Sequence, residues 1–153
     1  MRFASAADAA ALLAIYGQYL DTSVTFEQDL PSEAEFARRI GEYGGMHPYL
    51  VWEEGGRPVG YAYAHRLGER AAYQWNAELS VYLDRDCTGR GVGRRLYSAL
   101  MDILRLQGIR TVYGCVTLPN EKSEGLHRTM GFQKLGTYHS AGYKCGAQIH
   151  AKT

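Results

Sequence analysis

Gly89, Gly91 and Gly93 alternate with Arg90 and Val92 and are followed by Arg94. A backbone this short of side chains brings its N–H groups within hydrogen-bond distance of an anion. The residues after it read as a helix, whose first turn adds unpaired N–H groups and the positive end of the helix dipole. Arg90 and Arg94 add charge, so the chemistry on offer is phosphate binding. The loop is not a Walker loop, since no G-K-[ST] follows. It is not a dinucleotide fingerprint either, since the third glycine comes too soon. Cys87, Cys115 and Cys145 have no zinc or redox spacing, so no metal is expected.

The elements that position this loop follow from pattern and punctuation. Residues 2–4 read as a short strand. Ser5 with Asp8, and Ser32 with Glu35, have capping-box spacing and start two helices, the second ended by Gly44 and Gly45. Residues 49–54 and 59–67 read as an antiparallel hairpin around Gly55-Gly56-Arg57-Pro58. Residues 73–83 form the longest strand candidate, long enough to predict a bulge. The helix after the glycine loop runs to Gly108. Residues 111–117 read as one continuous buried strand, residues 121–130 as a helix stopped by Gly131, and residues 132–139 and 142–150 as the last two strands. The order is β-α-α-β-β-β-α-β-α-β-β, a mixed α/β sheet with helices on its faces.

The chain has 153 residues, 46% apolar and 22% charged, which predicts one folded domain over residues 1–153. Its net charge of +1 gives no electrostatic case for a nucleic-acid partner. No apolar run approaches the roughly 20 residues of a membrane span. Sparse, odd-numbered cysteines without a signal peptide predict reduced thiols in the cytoplasm. Tyrosine is frequent, 12 against 4 phenylalanines, and predicts amphipathic positions at the core edge, some lining a polar cavity.

A second segment gives the glycine loop its context. Residues 118–132 read L-P-N-E-K-S-E-G-L-H-R-T-M-G-F. With the loop, this segment resembles the GNAT N-acetyltransferase superfamily, whose patterns are [QR]-x-x-G-x-[GA] and N-x-x-[AS]-x-x-L-Y-x-x-x-G-F. Asn120, Ser123, Leu126, Gly131 and Phe132 match the second pattern. The resemblance is closer to phosphinothricin and methionine sulfoximine acetyltransferases. It extends through T-F-E at 25–27, G-Y-A-Y-A at 60–64, R-A-A-Y at 70–73, E-L-S-V-Y at 78–82 and G-Y-K-C-G at 142–146.

The resemblance implies a mostly antiparallel sheet, with helices on both faces and the fourth and fifth strands splayed. Acetyl-CoA would enter between those strands. Val81, Tyr82 and Leu83 would pair with the pantetheine arm, Gly89 to Arg94 would wrap the pyrophosphate, and Asn120 would hold a pantetheine amide. Glu78 would take a proton from the acceptor amine, and a strand N–H near Val81 would stabilise the oxyanion. His127, where most of the superfamily has Tyr, would give a proton to the departing thiolate. The acceptor, a small amino acid or analogue, would bind near Phe26, Arg70, Ala71, Ala72 and Tyr73. A homodimer is also implied. Three positions depart from the pattern. Thr88 stands for the Gln or Arg that opens the loop, Gly68 for an Arg, and Asn76 for a Thr. Readings of other classes are an acetyl-CoA sensor without turnover and a protein acetyltransferase.

Overall fold

Two helix starts are built around the serines that announced them, Ser5 and Ser32. The computed structural model describes residues 1–153. Ser5 and Asp8 form a complete capping box before helix α1 (Ala9–Gly17). The Asp8 carboxylate also takes two hydrogen bonds from Arg2, at 2.9 and 2.6 Å. Ser32 accepts the Glu35 N–H at 3.2 Å at the start of α2 (Glu33–Gly44). That box is only half made, because the Glu35 carboxylate turns to Arg38 and Arg39. Helices α3 (Val92–Leu106) and α4 (Glu121–Thr129) follow the glycine loop and Asn120 respectively. No helix is long and apolar enough to cross a membrane.

Strands β1 (Arg2–Phe3), β2 (Tyr49–Glu54), β3 (Arg57–Arg66), β4 (Asn76–Leu83) and β5 (Thr111–Tyr113) form one sheet in the order β1-β2-β3-β4-β5. Its pairs are antiparallel except β4–β5. Strands β6 (Val116–Leu118), β7 (Thr137–Lys144) and β8 (Ala147–Lys152) form a second sheet in the order β6-β8-β7. The 111–117 run is therefore two strands, not one. Its first half pairs with β4, and after Gly114 and Cys115 its second half pairs with β8.

Other expectations also shift. Residues 71–73 wind into a 3₁₀ turn, so β4 is shorter than the predicted strand and runs against β3 without a register break. Register breaks lie elsewhere: in the β2–β3 pair, where Val59 of β3 is the extra residue opposite Trp52 and Glu53, and in β7 between Tyr138 and Gly142. The last two strands begin later than predicted, because Phe132 packs edge-on against His127 at 4.9 Å rather than entering a strand. Cys145 and Gly146, both at positive φ, then turn the chain between β7 and β8.

Apolar side chains alternate across β4, so each sheet face receives its own helices. Ala77 and Leu79 pack with Val92, Leu96, Leu100 and Leu104 of α3. On the other face Tyr49, Val51 and Tyr61 pack with Leu12, Ile15 and Tyr16 of α1 and with Phe36 and Ile40 of α2. Each fully buried Leu contributes roughly 1.5–3 kcal/mol of transfer free energy. The tyrosines are a continuous layer: Tyr49 stacks on Tyr63 at 4.8 Å, Tyr61 on Tyr82 at 5.4 Å, and Tyr43 on Tyr63 at 5.5 Å.

Candidate active site

The β4–β5 register ends at Glu78 opposite Tyr113. Beyond it β4 keeps β3 on one side only, because β6 has gone to β8. Asp84 N–H donates to the Val59 carbonyl at 2.9 Å. That bond puts the even-numbered residues of β4 in the hydrogen-bonded pairs with β3. The amide groups of Leu79, Val81 and Leu83 therefore face the open edge. Two of those carbonyls take tyrosine hydroxyls: Leu83 from Tyr19 at 2.6 Å and Leu79 from Tyr97 at 3.3 Å. Val81, between them, presents both its N–H and its C=O. Tyr82 does not present its amide, which faces Tyr61 on β3; it contributes its side chain.

A cavity of about 600 Å³ fills this wedge, within the range of small-molecule sites. Val81, Tyr82, Leu83, Gly89, Gly91, Gly93, Arg94, Asn120 and His127 line it. Gly89 and Gly91 sit at φ of 76° and 79°, and a Cβ at either would meet nothing within 4 Å. Glycine is needed there for the backbone angle, not for space. Gly91 caps α3, so the helix N-terminus opens on the cleft.

Arg90 and Val92 do not line the cleft. The Arg90 guanidinium turns out to Glu54 at 3.0 Å, and Val92 is buried in the α3 core. Thr88 does line it, and its hydroxyl is bound by Lys122 Nζ at 3.3 Å. A lysine from the first turn of α4 thus brings a cation to the position where the loop lacks one. The spacing gave no hint of Lys122. Helical phase brings it to Thr88, 34 residues away in sequence.

Asn120 caps α4: its Oδ1 accepts the Ser123 N–H at 3.2 Å. Its amide N–H groups are left for a ligand. His127 Nδ1 lies 2.8 Å from the Ser123 carbonyl, and Nε2 lies 3.4 Å from the Tyr97 hydroxyl. Burial pushes the imidazole below its ordinary value, against the Ser123 hydrogen bond, which pulls it up. The ring is close to Gly114, where a Cβ would stand 2.3 Å from Nε2. Tyr97 is 1% exposed and lines the cleft. As an apolar-face position of α3 it carried no sequence signal beyond core.

Glu78 stands at the apex of the wedge, beside the cavity and not among its lining residues. It shares a sheet face with Tyr63, Ser80 and His65. Burial pushes the Tyr63 hydroxyl up to about 12, with Ser80 pulling down and Tyr43 and Glu78 adding to the rise. Burial and then the Glu78 charge also raise the Cys115 thiol, which lies in the cleft. The carboxylate is thus felt on both the tyrosine face and the cleft.

The five expected acceptor residues do not line the cavity. Arg70 precedes the 3₁₀ turn Ala71–Tyr73, and all four are exposed. A Cβ at Gly68 would come 2.9 Å from the Tyr73 ring, which gives a packing reason for glycine there. Phe26 packs over Gly142 of β7. Nearby, Glu27 pairs with Arg39 at 2.6 Å, and its second oxygen is buried without a partner. Arg39 was not singled out from sequence. No group of three or more His, Cys, Asp or Glu is placed to hold a metal.

Known proteins share this fold. The acetyltransferase (GNAT) domain family matches residues 1–152. The chain is 35% identical over 147 residues to a phosphinothricin N-acetyltransferase of Streptomyces viridochromogenes, covering 95% of this chain and 80% of that protein. It is 29% identical over 151 residues to an L-methionine sulfoximine/L-methionine sulfone acetyltransferase of Pseudomonas paraeruginosa, covering 95% and 87%. The crystal structure of a phosphinothricin acetyltransferase from Sinorhizobium meliloti in complex with acetyl-CoA superposes with a TM-score of 0.94 at 34% identity, covering 99% of this chain and 83% of that one. The chain belongs to the GNAT family of acetyl-CoA-dependent N-acetyltransferases.

Proposed function

We propose that the protein moves an acetyl group from acetyl-CoA to the primary amine of a small amino acid or amino-acid analogue of the phosphinothricin or methionine sulfoximine type. The observation that carries this reading is the position of Glu78. It is the last β4 residue paired with β5, so a carboxylate stands where the wedge opens.

The residues support a sequence of steps. The C=O of Val81 and the N–H of Leu83 take the amide groups of the pantetheine arm. The α3 N-terminus, Arg94 and Lys122 face the pyrophosphate. An ammonium is not a nucleophile, so Glu78 removes a proton from it, directly or through one water. The Val81 N–H steadies the oxyanion that forms at the carbonyl carbon. His127 gives a proton to the departing sulfur. The acceptor lies on the side of Phe26, Arg70, Ala71, Ala72 and Tyr73, where Arg70 takes its carboxylate.

The reading extends to a homodimer in the cytoplasm. Tyr138 and Tyr143 on β7 are 61% and 67% exposed and suit a surface that a second copy covers. All three cysteines are unpaired, as in a reducing compartment.

The test is CoA-thiol release from acetyl-CoA across amino acids, sulfoximines, sulfones, phosphinothricin and peptides. Release with a small amino acid or analogue is the expected result. Release only with peptides, or acetyl-CoA binding with no release, sinks the proposal. Lys122→Ala should raise KM for acetyl-CoA roughly 5-fold, as for one exposed ion pair worth about 1 kcal/mol, with kcat little changed. An unchanged KM would remove Lys122 from the pyrophosphate site.

A further inference from the structure

His127 and Tyr97 are joined in a way that neither the family pattern nor the helix periodicity announces. A chain of four groups runs across the apex of the wedge: the Leu79 carbonyl, the Tyr97 hydroxyl, the His127 ring and the Ser123 carbonyl. Its contacts are 3.3, 3.4 and 2.8 Å. The first carbonyl belongs to the open edge of β4, and the last to the first turn of α4. Tyr97 reaches between them from α3.

We propose that Tyr97 is the positioning residue of the leaving-group site: its hydroxyl, anchored on the Leu79 carbonyl, completes the hydrogen-bond set of protonated His127. Counting donors and acceptors carries the argument. The neutral ring has one N–H, at Nδ1, which donates to Ser123. The single Tyr97 proton then serves either Nε2 or Leu79, so two bonds form among the four groups. The protonated ring has an N–H at each nitrogen. Nδ1–H donates to Ser123, Nε2–H donates to the Tyr97 oxygen, and the Tyr97 proton goes to Leu79. Three bonds form with no heavy atom displaced. The arrangement is therefore a receptor for the imidazolium.

Such a receptor has a clear use. Burial disfavours the charged ring, with only the Ser123 bond opposing that. The titratable groups around it are Tyr97 on α3, Glu124 and Arg128 on α4, Tyr113 on β5, Cys115 in the strand break, Lys134 in the loop and Lys152 on β8. Glu124 is held by Lys152, and Tyr97 alone among these groups hydrogen-bonds the ring. The inference rests on the reading of His127 as the proton donor. When the carbon–sulfur bond breaks with its electron pair on sulfur, the Nε2 proton passes to sulfur and His127 becomes neutral. Tyr97 keeps its own proton. The contact between Nε2 and Tyr97 is long, so a thiolate at shorter range displaces it. The ring also borders a second cavity, of about 510 Å³, on the far side of α4. Solvent there can return the proton without crossing the acetyl cleft.

Tyr97→Phe keeps the ring against His127 and Phe132 and removes the hydroxyl. The ¹⁵N-detected titration midpoint of His127 should fall by about one pH unit, the size of one hydrogen bond to a charged group. The alkaline limb of kcat should move down with it, so the loss is larger at pH 8 than at pH 6, with KM for acetyl-CoA within about twofold of wild type. An unchanged midpoint, or a loss of kcat equal at every pH, overturns the proposal. A midpoint that falls while the alkaline limb stays put upholds the positioning of the ring and sinks its role as proton donor. Should the variant not fold, the wild-type protein decides. Its neutral His127 must carry the proton on Nδ1, and a proton on Nε2 overturns the proposal.

Discussion

Glu78→Gln lowers kcat by about 10²–10⁴-fold, the range for a lost general base, and leaves the acetyl-CoA dissociation constant within about twofold. The amide is nearly the size of the carboxylate and keeps the strand register opposite His65 and Tyr113. It cannot accept a proton from an ammonium. Because the residue lies beside the cleft and not in its lining, the donor's binding surface is untouched. Measuring kcat and equilibrium binding of acetyl-CoA on the same preparation separates the two effects. An acceptor of low amine pKa, present as free amine at pH 7, should lose much less than an alkylammonium. If both acceptors lose equally, or if turnover persists, Glu78 is not the base.

Gly114→Ala is expected to act on His127 from the other side. A Cβ there would stand 2.3 Å from Nε2 and 2.6 Å from Cδ2, closer than real contacts allow. The ring cannot easily retreat, since Tyr97 and Phe132 pack edge-on against it at 5.4 and 4.9 Å. Overpacking of this kind costs about 1–3 kcal/mol, and displacement of the imidazole should lower kcat by roughly 10²-fold. The two consequences share one cause, so they can be tested together. In a His127→Ala background the space is vacant, and Gly114→Ala should cost little further stability by denaturant titration. Additive costs in the double variant would show that the glycine is needed for the strand break itself and not for the ring.

What the sequence made legible was local chemistry. Ser5 and Ser32 each start the helix they precede, because a short side chain reaches its own backbone whatever the rest of the chain does. Gly89 and Gly91 sit at left-handed angles because they lack a Cβ, which is also a local matter. What stayed hidden depended on partner choice across the fold. T-V-Y-G-C-V-T shows no interruption in its apolar pattern, yet β4 claims one half and β8 the other. Arg90 stands in a loop that faces the cleft, but Glu54 on the adjacent hairpin captures its charge. Lys122 and Tyr97 looked like a solvent-facing and a core-facing helix residue. Their contacts appear only when α4 and α3 are set against Thr88 and His127. Phe26 and Tyr73 could be named as aromatic. That Gly142 and Gly68 make room for their rings is a tertiary fact.

The division of one apolar run between two sheets also makes the wedge costly to close. Closing the wedge would require β6 to leave β8, giving up the pairs Val116–Lys152, Thr117–Ala151 and Leu118–His150. The opening is therefore part of the sheet topology, held by pairs that lie outside the cleft itself.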